Sequence, residues 1–68
     1  MRTIVLAEFP MIDYVLLARV NDKDEVYEFV CAYHYDKSDK TWGQGHYFQT
    51  LVTAYCYIQA VLNLNSEE

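Results

Sequence analysis

Cysteine, proline, glycine and positive charge are all scarce in this chain, and each shortage excludes something. Among 68 residues there are two cysteines, Cys31 and Cys56, one proline, Pro10, and two glycines, Gly43 and Gly45. Two cysteines are too few for the disulfide framework that holds small secreted domains together, so the cytoplasm is the expected compartment. Five basic residues face ten acidic ones, for a net charge of −5. That excess repels a phosphate backbone and an anionic lipid surface, which argues against direct nucleic-acid or membrane contact. No apolar run is long enough to cross a bilayer. Glu8 and Pro10 interrupt the N-terminal apolar stretch before it could form a signal-peptide core.

Catalytic and cofactor signatures are missing too. There is no Gly-x-Ser-x-Gly, no His-Glu-x-x-His and no phosphate-binding glycine loop; Gly43-Gln44-Gly45 lacks the third glycine and the lysine. Cys31, His34, His46 and Cys56 are residue types that zinc accepts. However, Cys31 and His34 are separated by an odd number of positions on a strand and point to opposite faces. Cys56 falls away from the apolar stripe of the helix, so no metal or cofactor is expected. A cysteine, His46 and Asp36 or Asp39 could be named as nucleophile, base and orienting group, but nothing in their spacing requires it. The chain is expected not to be an enzyme.

What is present is an unusual supply of rings: seven tyrosines, three phenylalanines and one tryptophan. A chain this short buries only about 60% of the surface it exposes when unfolded, and a dense aromatic core extended by self-association is one way to compensate. Residues 3–9 are mostly apolar and β-branched, and Pro10 ends them as a strand. From Ile12 to Val20 the pattern alternates with period two. Asn21-Asp22-Lys23-Asp24 is a polar turn, and a long strand from about 25 to 35 follows. Its odd positions are Tyr27, Phe29, Cys31, Tyr33 and Tyr35.

A charged turn at 36–40 precedes Thr41 and Trp42, which form a short fourth strand at most, and the Gly43–Gly45 segment redirects the backbone into a helix over about 49–63. On that helix Leu51, Ala54, Tyr55, Ile58, Val61 and Leu62 share a stripe, with Gln49, Thr53, Gln59 and Asn63 opposite. The expectation is an α+β fold: an antiparallel meander sheet of three or four strands with one C-terminal helix packed on one face. Residues 1–64 form a single domain and 65–68 a polar tail.

The seven residues Trp42 to Phe48 hold the only tryptophan, both glycines and one of the two histidines. Structurally, Trp42 closes the end of the core, the glycines allow a sharp bend, and Phe48 packs under the first helical turn. Functionally, Trp42, His46 and Tyr47 make an exposed anchor patch. Tyr27, Tyr33 and Tyr35, with Tyr57 on the outer face of the helix, extend it into a tyrosine-rich contact surface if the helix covers the Val30 side. The leading expectation is a non-catalytic protein-interaction module that forms a homodimer and has a further protein partner. The alternative is an acidic mimic of nucleic acid that fills a basic protein groove through Asp22, Asp24, Glu25, Glu28, Asp36 and Asp39.

The run Ala32-Tyr33-His34-Tyr35-Asp36 and then Thr41-Trp42-Gly43-Gln44-Gly45-His46-Tyr47-Phe48, leading into a helix, resembles a segment of small uncharacterised proteins of bacterial mobile elements. Such proteins are carried by conjugative transposons and phage-like regions of Gram-positive gut bacteria. The resemblance covers the second half of the chain, and residues 1–24 contribute nothing to it. It implies a bacterial, intracellular origin and an accessory role toward host machinery, defence nucleases included. It carries over no catalytic or binding residue.

Overall fold

The computed structural model describes residues 2–65. Four strands, β1 (Arg2–Phe9), β2 (Tyr14–Val20), β3 (Val26–Tyr33) and β4 (Gln44–Phe48), precede one helix, α1 (Leu51–Asn65). They form a single antiparallel sheet in the order β1-β2-β3-β4, with α1 packed on β3 and β4. The expected α+β meander with a C-terminal helix is the architecture observed. Of the polar tail expected at 65–68, Asn65 closes α1 and the remainder lies outside the described residues.

The hairpins form almost without glycine because other residues supply the turn chemistry. Asn21 Oδ1 accepts hydrogen bonds from the backbone N–H of Lys23 (2.9 Å) and Glu25 (3.0 Å), while Asp24 takes the left-handed conformation at φ 61°. The β3–β4 connection repeats this plan. Asp36 Oδ1 accepts from the N–H of Ser38 (2.8 Å) and Asp39 (3.2 Å), and Lys40 is left-handed at φ 58°. Asn and Asp suit these positions because their side chains bond backbone two residues ahead.

The sequence expectation needs correcting at β4. Trp42 to Phe48 is no bend into the helix: Gln44–Phe48 is a paired edge strand, and neither glycine has a positive φ. The chain turns later. Thr50 caps α1, its Oγ1 accepting the Thr53 N–H at 3.2 Å, so the helix starts at Leu51 and not near Gln49.

Two hydrophobic clusters occupy the two faces of the sheet. Ile12, Tyr14, Leu16 and Cys31 lie beneath Ala54 and Ile58 of α1, with Phe29, Tyr33, Phe48 and Tyr57 around them. Val15, Leu17, Val30 and Ala32 line the other face, where Tyr35 and Trp42 cover them. The helix therefore covers the Cys31 side of β3 and leaves the Val30 side to aromatic rings.

Candidate functional site

The expected tyrosine surface on β3 is split apart by two backbone irregularities. The β2–β3 register slips between Arg19 and Val20, so Tyr27 is an extra residue in a bulge. A bulge turns its residue out of the alternation, and Tyr27 lies under Arg19 with the guanidinium 5.8 Å from its ring centre. At the other end, His34 has φ 58° and ends the strand, which carries Tyr35 across to Trp42, ring centres 6.2 Å apart. Only Tyr33 stays with Phe29 and Cys31, on the face the helix covers, 5.3 Å from the Tyr14 ring. Tyr27, Tyr33 and Tyr35 therefore do not form one contact surface.

Tyr57 also differs from its expected place on the outer side of α1. Its hydroxyl meets that of Tyr14 at 3.0 Å, and its ring lies 4.4 Å from His46 and 5.8 Å from Phe48. Inward of the helix are Ala54, Tyr57, Ile58 and Val61, while Leu51 and Tyr55 are displaced to the flank. The pull is aromatic: Tyr57 gains three rings and a hydroxyl partner from β2 and β4, whereas Tyr55 stays half exposed.

Trp42 is half-buried, packed against the helix-free face. Its Nε1–H donates to the Tyr47 hydroxyl at 3.2 Å, and both rings bracket Gly45. Tyr47 is opposite Val30 in the register and half exposed. Tyr35, Trp42 and Tyr47 thus make a small aromatic patch over Val15, Leu17, Val30 and Ala32, whereas His46, opposite Cys31, belongs to the other face.

The acidic candidates divide between the two ends of the sheet. Asp22, Asp24 and Glu25 occupy the β2–β3 turn; Asp36 and Asp39 occupy the β3–β4 loop, a whole strand away. Glu28 lies between them on the helix-free face and takes a hydrogen bond from Arg19 at 3.1 Å, and Asp24 pairs with Arg2 at 2.7 Å. Outside this set, Glu8 pairs with Lys37 and Asp13 with His34.

Cys31 is fully buried beneath α1, its thiol donating to the Ala54 carbonyl at 3.5 Å, whereas Cys56 is exposed on the helix. Among the described residues no group of three or more His, Cys, Asp and Glu side chains is placed to hold a metal ion. Burial pushes the Cys31 thiol up from 9.0 to about 11. The hydrogen bond to Tyr57, then burial, push the Tyr14 phenol up from 10.0 to about 12. Both protons are held more tightly in the folded chain, so both contributions are complete below the unfolded values and lost as pH rises. Thermal melting should therefore fall from about pH 9 upward. Cys31→Ala should delay the fall to near pH 10, and Tyr14→Phe should remove its upper part. Identical alkaline slopes in all three proteins would refute this assignment.

One unfilled feature has no counterpart in the sequence expectation. An open apolar groove of about 490 Å³ runs between α1 and the β1 side of the sheet. Its floor is Leu6, Ala7, Phe9 and Leu16. The register slip between Val5 and Ala7 makes Leu6 an additional residue that joins Ala7 on this face. Leu51, Val52, Tyr55 and Cys56 form the wall. One signal for it was available: residues 51–65 contain no charged residue at all. A helix without charge on any side is a helix expected to be covered on more than one side.

The architecture is an open four-stranded antiparallel α+β meander with an uncovered apolar groove. No protein-family model matches the chain, nor does any curated protein or solved structure. Among the described residues no helix is long and apolar enough to cross a membrane.

Proposed function

We propose that this chain is a non-catalytic protein-interaction module that self-associates. The observation that carries the reading is the groove: a charge-free concavity on a chain whose total accessible surface is only 4791 Å². Exposed contiguous apolar surface of this kind marks a contact site. The contact residues are accordingly Leu6, Val52 and Tyr55, with Leu6 45%, Val52 72% and Tyr55 49% exposed. Tyr33 and Tyr57 are structural. The patch of Tyr35, Trp42 and Tyr47 on the opposite face is left for a further protein partner.

The acidic-mimic reading asks for one continuous negative face, and the division of its carboxylates between two ends of the sheet supports it less. Light scattering over a concentration series at two salt levels separates the two readings. An apolar contact gives a dimer at micromolar concentration whose mass is insensitive to salt, since screening acts on charges. A monomer at all concentrations would remove the self-association reading.

A further inference from the structure

The two faces of the sheet are closed by unequal means. From Tyr14 to Ala18 every residue of β2 is buried, so both faces of that strand carry apolar side chains that need a covering layer. On one face the layer is α1, set in place by Ala54 and Ile58, which have no exposed surface. On the other, Leu17, Val30 and Ala32 have no exposed surface either. There the cover is Tyr35 and Trp42, two half-buried rings of the β3–β4 loop. We infer that residues 35–42 are a strap that opens from this face as a unit while the sheet and α1 stay folded. The inference goes beyond the self-association reading and does not depend on the groove.

Three features support a separate opening. First, the strap is self-contained. Asp36 N–H donates to the Thr41 carbonyl at 2.8 Å and Lys40 N–H to the Asp36 carbonyl at 2.7 Å, while the Gly43 N–H closes the base on the Tyr33 carbonyl at 3.0 Å. A compact loop with its ends together and its own bonds moves as one body. Second, the ladder of β1 to β4 runs outside it, and its Asp36–Thr41 bridge is internal, so detachment breaks no strand pairing. His34, left-handed and bonded through its N–H to the Asp13 carbonyl at 3.2 Å, stays with the sheet as the hinge. Third, the polar ties are wet. Lys37 Nζ reaches the Glu8 carboxylate at 3.0 Å between exposed side chains, and Trp42 Nε1–H donates to the Tyr47 hydroxyl at 3.2 Å. Exposed pairs hold weakly, and segments with few buried apolar contacts open before the whole fold does. Glu8 stands opposite Val15, so the Lys37 tie crosses β2 and holds the strap over Val15. Closed, this face shows aromatic rings; open, it shows the aliphatic layer of Val15, Leu17, Val30 and Ala32. The strap thereby switches the chain between two different surfaces.

Native-state thiol labelling tests this, because Cys31 already reports on the other face. Cys31 is fully buried beneath α1 and becomes accessible when the helix leaves the sheet. Val15→Cys, made together with Cys56→Ser to remove the exposed thiol, places a second reporter beneath the strap. With a bulky maleimide in native buffer, the thiol at position 15 should be modified about tenfold or more faster than Cys31 on the same chain. It should still react far more slowly than free cysteine. Equal rates at the two positions would mean that both faces open only by global unfolding, and would overturn the strap. A rate at position 15 equal to that of free cysteine would mean that no closed state exists, and would overturn it too. Lys37→Gln, which releases the Glu8 tie, should speed labelling at position 15 about two- to fivefold and leave Cys31 unchanged. Equal acceleration of both thiols would make the loss global and refute the assignment. If Val15→Cys fails to fold, Ala32→Cys replaces it, since Ala32 lies on the same face opposite Gly45, against which Trp42 rests.

Discussion

Replacing Ile58 by alanine is expected to cost about 2–5 kcal/mol, the usual range for emptying an aliphatic site in a closed core. Ile58 has no exposed surface and stands, with Ala54, between α1 and the Tyr14–Leu16–Cys31 layer of the sheet. A chain of this length has a total stability of about 3–10 kcal/mol, so the variant should be mostly unfolded or melt far below the wild type. Tyr55 is the informative contrast. The apolar period puts it on the same stripe as Ile58, yet it is half exposed at the groove wall. In dilute solution Tyr55→Ala should change the urea midpoint little, and its cost should appear as protein concentration rises and the groove fills. Equal losses for the two variants in dilute protein would mean that α1 is rotated from the orientation described.

Gly45→Ala is expected to cost about 1–3 kcal/mol, the range for overpacking, although it adds a single methyl group to a strand. The new Cβ would lie 2.6 Å from Trp42 Nε1, 3.1 Å from Trp42 Cδ1 and 3.1 Å from the Tyr47 hydroxyl. The indole would have to lift from Val15, Leu17, Val30 and Ala32, and its hydrogen bond to Tyr47 would break. Tryptophan emission should shift to the red along with the fall in melting temperature. Gly43→Ala is the control. There the Cβ meets nothing closer than 3.8 Å and φ is not positive, so the change should be neutral or stabilise by about 0.4–1 kcal/mol. Equal behaviour at both positions would sink this account of the Trp42 cover.

The strands over 3–9, 12–20 and 25–35 are legible in the sequence because alternation and turn residues are local signals. Their bounds move for reasons that are not local. Ile12 and Asp13 belong to the β1–β2 turn, where Asp13 is left-handed at φ 60°, and β3 stops at Tyr33 because His34 is left-handed and its N–H bonds the Asp13 carbonyl at 3.2 Å. β4 departs from expectation because two glycines so close together look like a hinge. Gly45 is there to let an indole lie against the backbone, and that contact is visible only once Trp42 has folded over the strand. The phase of α1 differs from the expected one because the helix has no charged residue to mark its wet side, so several rotations bury comparable apolar surface.

The sequence by itself determined the first three strands and the helix, their order, the antiparallel meander and the polar chemistry of the hairpins. All of these follow from patterns within a few residues, where period and turn preference act directly. Only the tertiary structure decided which sheet face the helix covers, where each tyrosine points and that Trp42 is half-buried. It also decided that an apolar groove stays open beside α1. Those outcomes turn on a one-residue bulge, a left-handed histidine and the meeting of Tyr14 with Tyr57 across 43 positions of chain. A shift of one residue exchanges the two faces of a strand, so small irregularities outweigh the local pattern in deciding what becomes surface.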